Sequence, residues 1–313
     1  MDKNLKHYKI FSQYPWINPD RNCTPPYLVI GDDLDSLLSA TIWNHVSSRD
    51  WKIIGVYHKY SQIYAASPYF QDLPRSIWLD LDINSYWIRS LGHHLILSKN
   101  SQILPNNHIN LNYLRGITTQ NFKRKYPLGT IHFLLYLFDV SIPDQEFAPE
   151  MIMSADSTWI NGQSHKFASN VKDWINNCIP RPFFKKYQKF MDSYKMEERM
   201  QKYFNFLKSK KIPRGTGQVK SRHLQLKGYQ FQFDPSQQKD LKNRLAIIES
   251  ITGWSPPKIC SYDKKIIGTR QTKKLKDWPD FNLNQIMEND RIFSYVFPHK
   301  GTINYTRNME FKT

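Results

Sequence analysis

The sequence predicts an α/β fold in which a parallel-sheet domain is followed by a smaller α+β domain. In the first half, short β-branched runs alternate with helical patterns, which is typical of stacked βαβ units. A basic, aromatic segment then ends in the breaker-rich IPRGTGQ, a pattern typical of a connecting helix and hinge. We therefore expect domains at 1–182 and 218–313, joined by a connector at 183–217.

The elements follow in order along the chain. Strands are expected in YLVIG (27–31), WKIIGVYH (51–58), RSIWLDLDI (75–83) and HHLILS (93–98). The first strand precedes the helical SLLSATIWNHVSS, and a long apolar helix is expected after Pro127, since proline is common at helix starts. MIMSADSTW resembles a further strand before the helical ASNVKDWINNC. In the last third, YQFQF, KIIGTR and RIFSYVF resemble strands around the helical SQQKDLKNRLAIIESITG.

Aromatic residues recur near helical spacing along the connector, at Phe184, Tyr187, Phe190 and Tyr194. Such spacing favours burial against a core. The neighbouring lysines leave a second interpretation open, in which the rings stack on bases and the lysines contact phosphates.

The composition favours an anionic partner. The 44 Lys and Arg against 27 Asp and Glu give a formal net charge of +17, which attracts nucleic acid or nucleotides. Three widely spaced cysteines argue against a disulfide framework and fit a reducing compartment. The N-terminus has no apolar signal region, and the longest apolar run is too short to span a bilayer. We therefore expect a cytoplasmic protein with no membrane contact.

Acids and histidines cluster near the ends of the predicted strands. They are Asp32, Asp33, Asp35, Asp80, Asp82, His93, His94 and Asp156. In an open parallel sheet, ligands bind at the carboxyl ends of the strands, so these groups are expected to converge. A divalent cation would neutralise them, and oxygen ligands with one or two imidazoles suit Mn²⁺ or Mg²⁺. The alternative is that Asp32 or Asp33 caps the following helix and the other acids lie in loops.

Five motifs in order resemble the DHH family of phosphoesterases: GDDLDSLLSA, WLDLDI, LGHH, HINLN and SADSTW, over about residues 25–170. That family includes single-strand exonucleases, oligoribonucleases, cyclic-dinucleotide phosphodiesterases and inorganic pyrophosphatases. The resemblance implies a catalytic set of Asp33, Asp35, Asp80, His93, His94 and Asp156. All but His94 would be metal ligands, with Asp80 bridging two ions and His94 near the phosphate. Water held between the ions would be the nucleophile.

Two positions depart from the family pattern. Gly92 stands where the name-giving triplet has aspartate, and Val29 stands where members often have a histidine. Either hydrolysis is retained, or the fold persists as a module that binds nucleic acid or a protein without hydrolysis. The missing histidine also counts against a pyrophosphatase.

The family's second domain carries a glycine-rich, histidine-containing loop that holds phosphate, and this string is absent from the sequence. His299, Lys300 and Gly301 are possible counterparts, and Arg270 is a further candidate for phosphate binding. The alternative is an ordinary loop and a solvated basic strand. The sequence as a whole predicts a divalent-metal-dependent phosphodiesterase acting on single-stranded nucleic acid, short oligonucleotides or a nucleotide messenger.

Overall fold

A computed structural model describes residues 7–21, 25–98, 104–163, 166–213, 219–229, 231–277, 291–309 and 311. The helices are α1 (His7–Gln13), α2 (Leu34–His45), α3 (Leu111–Leu114), α4 (Thr130–Leu137), α5 (Ala148–Ser154), α6 (Thr158–Gln163), α7 (Ala168–Asn177), α8 (Pro182–Gln188), α9 (Tyr194–Ser209) and α10 (Gln238–Thr252). Helix α2 is buried along most of its length, where it packs against α4 and α10.

The large sheet is built from β1 (Tyr27–Ile30), β2 (Lys52–His58), β3 (Gln62–Ala65), β4 (Ile77–Leu79), β5 (Arg89–Gly92), β6 (His108–Asn110), β7 (Lys258–Ile259) and β8 (Lys264–Ile267). Its order is β6-β5-β4-β1-β2-β3-β8, and β7 pairs with β2. Strands β6, β5, β4, β1 and β2 pair in parallel, whereas β3 pairs antiparallel with both of its neighbours, β2 and β8. The predicted α/β class is confirmed.

The strand order reverses beside β1, because β2 lies on one side of it and β4 on the other. Reversals of this kind open a crevice at the carboxyl ends of the strands, where ligands bind in open α/β sheets. Side chains of β1 alternate between two apolar layers: Leu28 and Ile30 face one, and Val29 faces the other. Because the side chains of β1 are buried in these layers, the residues that can line the crevice are those that follow the strand.

A second, antiparallel sheet contains β9 (Thr269–Lys274), β10 (Ile292–His299) and β11 (Thr302–Arg307), in the order β10-β11-β9. The last third of the chain also supplies β7 and β8 to the large sheet. The division at 182 and 218 stays a prediction. In the predicted connector, α8 and α9 are helical, with Phe184 and Tyr187 buried and Tyr194 54% exposed.

Three predicted strands are wrong. MIMSA lies largely in α5, where Pro149 in the first turn suits a helix start, and a short apolar run does not distinguish helix from strand. HHLILS follows the end of β5 instead of forming a strand. The carbonyl of Leu95 accepts a hydrogen bond from the Phe297 amide and that of Leu97 from the Thr119 amide. Neither donor belongs to a strand of the large sheet. YQFQF contributes buried rings, such as Phe231, from irregular backbone.

Candidate metal centre and adjoining cavity

Asp33 and Asp35, which follow β1, make different contacts. Asp33 caps α2, accepting a hydrogen bond from the Ser36 amide at 3.1 Å. Asp35, whose side chain is fully buried, accepts from the amides of Thr130 at 2.6 Å and Ile131 at 2.9 Å. These amides begin α4, a position that favours negative charge. Gly129 makes this approach possible, since a Cβ there would lie 2.7 Å from the Asp35 carboxylate.

Asp80 follows β4 and is held by hydroxyl groups. Its Oδ2 accepts from Ser36 and its Oδ1 from Thr130, both at 2.8 Å. The Asp80 backbone has a φ of 61°, in the left-handed region. Such strained backbone clusters at functional sites, where the surrounding structure enforces it. The same residue lies 3.1 Å from His93 Nδ1 through its Oδ1.

His93, directly after β5, joins the remaining acids. Its Nε2 lies 2.5 Å from Asp156 Oδ2, and its Nδ1 lies 3.8 Å from Asp35 Oδ2. One donor atom each from Asp35, His93 and Asp156 falls within 4.8 Å of the others. Asp156 sits between two helices with a φ of 49°, and its side chain is 33% exposed. This trio is the group of donors that would hold a cation.

The centre carries unbalanced negative charge. Burial and the charges of Asp80 and Asp156 raise the pKa of both Asp33 and Asp35 well above the usual value. Burial would raise the pKa of Asp156 as well, but the adjacent His93 lowers it to about 2. Burial opposes protonation of His93, yet contact with Asp156 and Asp80 raises its pKa well above normal. The carboxyl groups of Asp35, Asp80 and Asp156 thus surround the His93 ring.

His94 lies beside this trio and is oriented by a second network. Its ring stacks on that of His93, with centroids 4.5 Å apart. Asp82 lies 3.1 Å from His94 Nδ1 and 3.0 Å from His108 Nε2, and it accepts from Asn110 at 2.6 Å. These partners outweigh burial and lower the pKa of Asp82.

The same carboxylate explains Gly92. A Cβ at position 92 would lie 2.2 Å from Asp82 Oδ1, so the Asp82 carboxylate occupies the space of a residue-92 side chain. The sequence singled out Asp82 among the acids at the strand ends, but not its close packing against position 92.

Asp32 lies outside the donor trio. Its Oδ2 is 2.7 Å from His58 Nδ1 and accepts from the Lys59 amide at 3.2 Å. Asp32 therefore anchors the turn between β2 and β3. That turn carries Tyr60, a residue that sequence reasoning missed. The ring of Tyr60 meets that of His94 edge-on, with centroids 6.4 Å apart.

A cavity of about 420 Å³ adjoins the acids and is bounded on its other side by the β10-β11-β9 sheet. Asp80, His93, His94, Asp156 and Arg270 line it. Its aromatic walls are Tyr57, Tyr60, Tyr126, Phe167, Tyr295, Phe297 and Tyr305. Lys125, whose pKa is lowered by burial, adds a second cation. Cavities of this size hold small organic ligands, and these walls combine flat apolar surface with positive charge.

His299 and Lys300 are placed elsewhere. Both are exposed, His299 as the last residue of β10 and Lys300 in the turn that follows, and neither is among the residues that line the cavity. Val29 is fully buried in an apolar layer and offers no donor. Among the described residues, no helix combines the length and apolar character that crossing a membrane requires.

Comparison with known proteins gives no family assignment. No family model matches the chain, and neither the curated proteins nor the solved structures include a significant match.

Proposed function

We propose that this protein is a divalent-metal-dependent phosphodiesterase that acts on single-stranded nucleic acid, short oligonucleotides or a nucleotide messenger. The observation that carries the proposal is the convergence of Asp35, His93 and Asp156 beside a cavity with cationic and aromatic walls. Here the neighbouring acids raise the pKa of Asp33 and Asp35, and Asp80 and Asp156 have left-handed backbone. Perturbed groups and strain that meet in a cleft are typical of functional sites.

The donor set fits Mn²⁺ or Mg²⁺, because it offers carboxylate oxygens with one imidazole. Asp35, His93 and Asp156 would hold the cation, with Asp33 and Asp80 close by. When bound, such a cation polarises phosphoryl oxygens and lowers the pKa of water. The chain's own contribution is orientation: Thr130 binds Asp80 through its hydroxyl and Asp35 through its amide, which fixes two carboxylates against each other.

Arg270 and Lys125 are the cavity cations that would bind the phosphate groups of the substrate. The cytoplasm, where such substrates occur, is the compartment we propose. A second candidate function is binding without hydrolysis. It is favoured by the 2.5 Å contact between His93 Nε2 and Asp156 Oδ2. These two metal-ligand atoms already bind each other, so the pair is satisfied without a cation.

One experiment separates the two functions. The protein and its Asp80→Ala variant are incubated with labelled single-stranded DNA, short RNA and cyclic dinucleotides, with manganese or with chelator. Asp50→Ala serves as the matched control, since the Asp50 side chain is 82% exposed and remote from the cavity lining. Hydrolysis is expected with manganese in the wild type and the control, and its loss in Asp80→Ala. Binding that persists without any manganese-dependent cleavage would establish the binding module instead.

A further inference from the structure

The turn that carries Tyr60 has an unfavourable backbone for its sequence. Lys59 and Tyr60 have φ values of 50° and 55°, and the turn is closed by a 3.1 Å bond from the Ser61 amide to the His58 carbonyl. Asn and Gly usually occupy such positions. Two bulky residues with left-handed backbone are therefore a strained choice, of a kind that persists where the surroundings enforce it for a function.

The surroundings do enforce it. Asp32 binds the Lys59 amide, and Arg270 Nη1 donates to the Lys59 carbonyl at 3.4 Å. The Tyr60 carbonyl accepts from the hydroxyls of Tyr57, at 2.8 Å, and Thr306. Contacts from the first strand-end loop, β2, β9 and β11 thus converge on one short turn. What they hold in place is the Tyr60 ring at the border of the cavity.

The Tyr60 ring contacts one cation, Arg270, and the rings of His94 and Tyr57. The Arg270 guanidinium lies 5.0 Å from the Tyr60 ring centroid, and the His94 ring meets Tyr60 edge-on with centroids 6.4 Å apart. Tyr60 is nevertheless 39% exposed and lines the cavity, so a ligand has access to it. Of the five N–H donors of Arg270, the described hydrogen bond uses one.

We propose that Tyr60 and Arg270 form a nucleotide subsite, in which the Tyr60 ring stacks on a nucleobase and Arg270 binds a phosphate. The subsite rests on the proposed function for its substrate class and assigns the recognition of the base to Tyr60 and that of a phosphate to Arg270. Aromatic stacking is tolerant of base identity, so the subsite selects nucleotides over base-free phosphates without reading sequence. Inorganic pyrophosphate would be a poor ligand.

Calorimetric titration in chelator with adenosine 5′-monophosphate and ribose 5-phosphate tests the subsite without turnover. The wild type is expected to bind the nucleotide about tenfold more tightly than the sugar phosphate. Tyr60→Gly, which suits the positive φ, should reduce this preference to about twofold or less, and Tyr60→Phe should keep it. Arg270→Ala should weaken both ligands by a similar factor and leave the preference.

The chain offers a matched control pair. Lys265 lies over the Tyr64 ring at 4.9 Å, on β8 and β3, and neither residue lines the cavity. Tyr64→Ala and Lys265→Ala should therefore leave both affinities unchanged. Equal binding of the two ligands by the wild type, or a preference that survives in Tyr60→Gly, would overturn the proposal. A Tyr60-dependent preference in a protein without hydrolytic activity would keep the subsite and refute the phosphodiesterase.

Discussion

Replacing Gly92 with alanine tests the close packing between β5 and the carboxylate of Asp82. The new Cβ would lie 2.2 Å from Asp82 Oδ1 and 2.4 Å from its Cγ, well inside van der Waals contact. Asp82 is not free to swing aside, because it holds His94, His108 and Asn110. The methyl group and the carboxylate therefore compete for one space.

The magnitude follows from the two ways of relieving the clash. Overpacking a rigid core costs about 1–3 kcal/mol, and losing a hydrogen bond to a charged group costs about 1.5–3 kcal/mol. We expect Gly92→Ala to lower the free energy of unfolding by about 2–4 kcal/mol, a large part of the stability of a typical domain. Gly301→Ala is the control, since a Cβ there meets no atom within 4 Å.

A double-mutant cycle isolates the competition from other effects of the substitution. Asp82→Gly alone should destabilise by about 3–5 kcal/mol, because buried partners of a charged group lose it. In that background the Gly92→Ala methyl group has room, so the double variant should be about as stable as Asp82→Gly. Chemical denaturation of the four proteins measures the coupling, expected to equal the Gly92→Ala cost of about 2–4 kcal/mol. Additive losses would show that Asp82 does not fill the space at position 92.

Three further predictions concern the same molecule. Asp33→Asn keeps the helix cap and removes the negative charge of the Asp33 carboxylate. Burial and the neighbouring acids disfavour that charge and raise the pKa of Asp33, so in chelator at pH 7 the variant should melt at a higher temperature than the wild type. This advantage should shrink on acidification, as the Asp33 carboxyl takes up its proton. Glu197→Gln should cost about 2–4 kcal/mol at pH 7, because the buried Glu197 carboxylate accepts two side-chain and two backbone hydrogen bonds. These bonds outweigh burial and lower the pKa of Glu197, so the difference measured by denaturation should fade as the pH falls below the unfolded value of 4.5. Calorimetry should find one Mn²⁺ per chain, since the described residues gather one donor group, Asp35, His93 and Asp156, and a stoichiometry of two would contradict this.

The parallel sheet and its acids were predictable because their signals are local. A β-branched run followed by charge marks the carboxyl end of a strand, and in a parallel sheet those ends share one edge. Asp35 and Asp80 are close for this reason, although β1 and β4 are separated along the chain by two other strands. The same reasoning placed Asp156 after a strand, and it is instead at a break between two helices.

Features that depend on contacts across strands were not predictable. The close packing of the Asp82 carboxylate against position 92 requires the pairing of β4 with β5, which the sequence does not display. Tyr60 was missed because Lys-Tyr has no turn preference, and the contacts that force positive φ come from distant segments. Arg270 borders the cavity because β9 pairs with β11, whereas His299 and Lys300 are exposed at the end of β10 and in the turn that follows.

Val29 bears on how the centre would balance a bound phosphate. The side chain is fully buried with Ile54 and Trp78 in an apolar layer, where a charged imidazole would be costly. Position 29 therefore offers no donor to a cation in the proposed centre. The negative charge of a bound phosphate would then be balanced by cationic side chains that line the same cavity. Among the described residues, these are Lys125 and Arg270. We therefore expect phosphate affinity in this protein to depend more on these two cations than on a second metal ion.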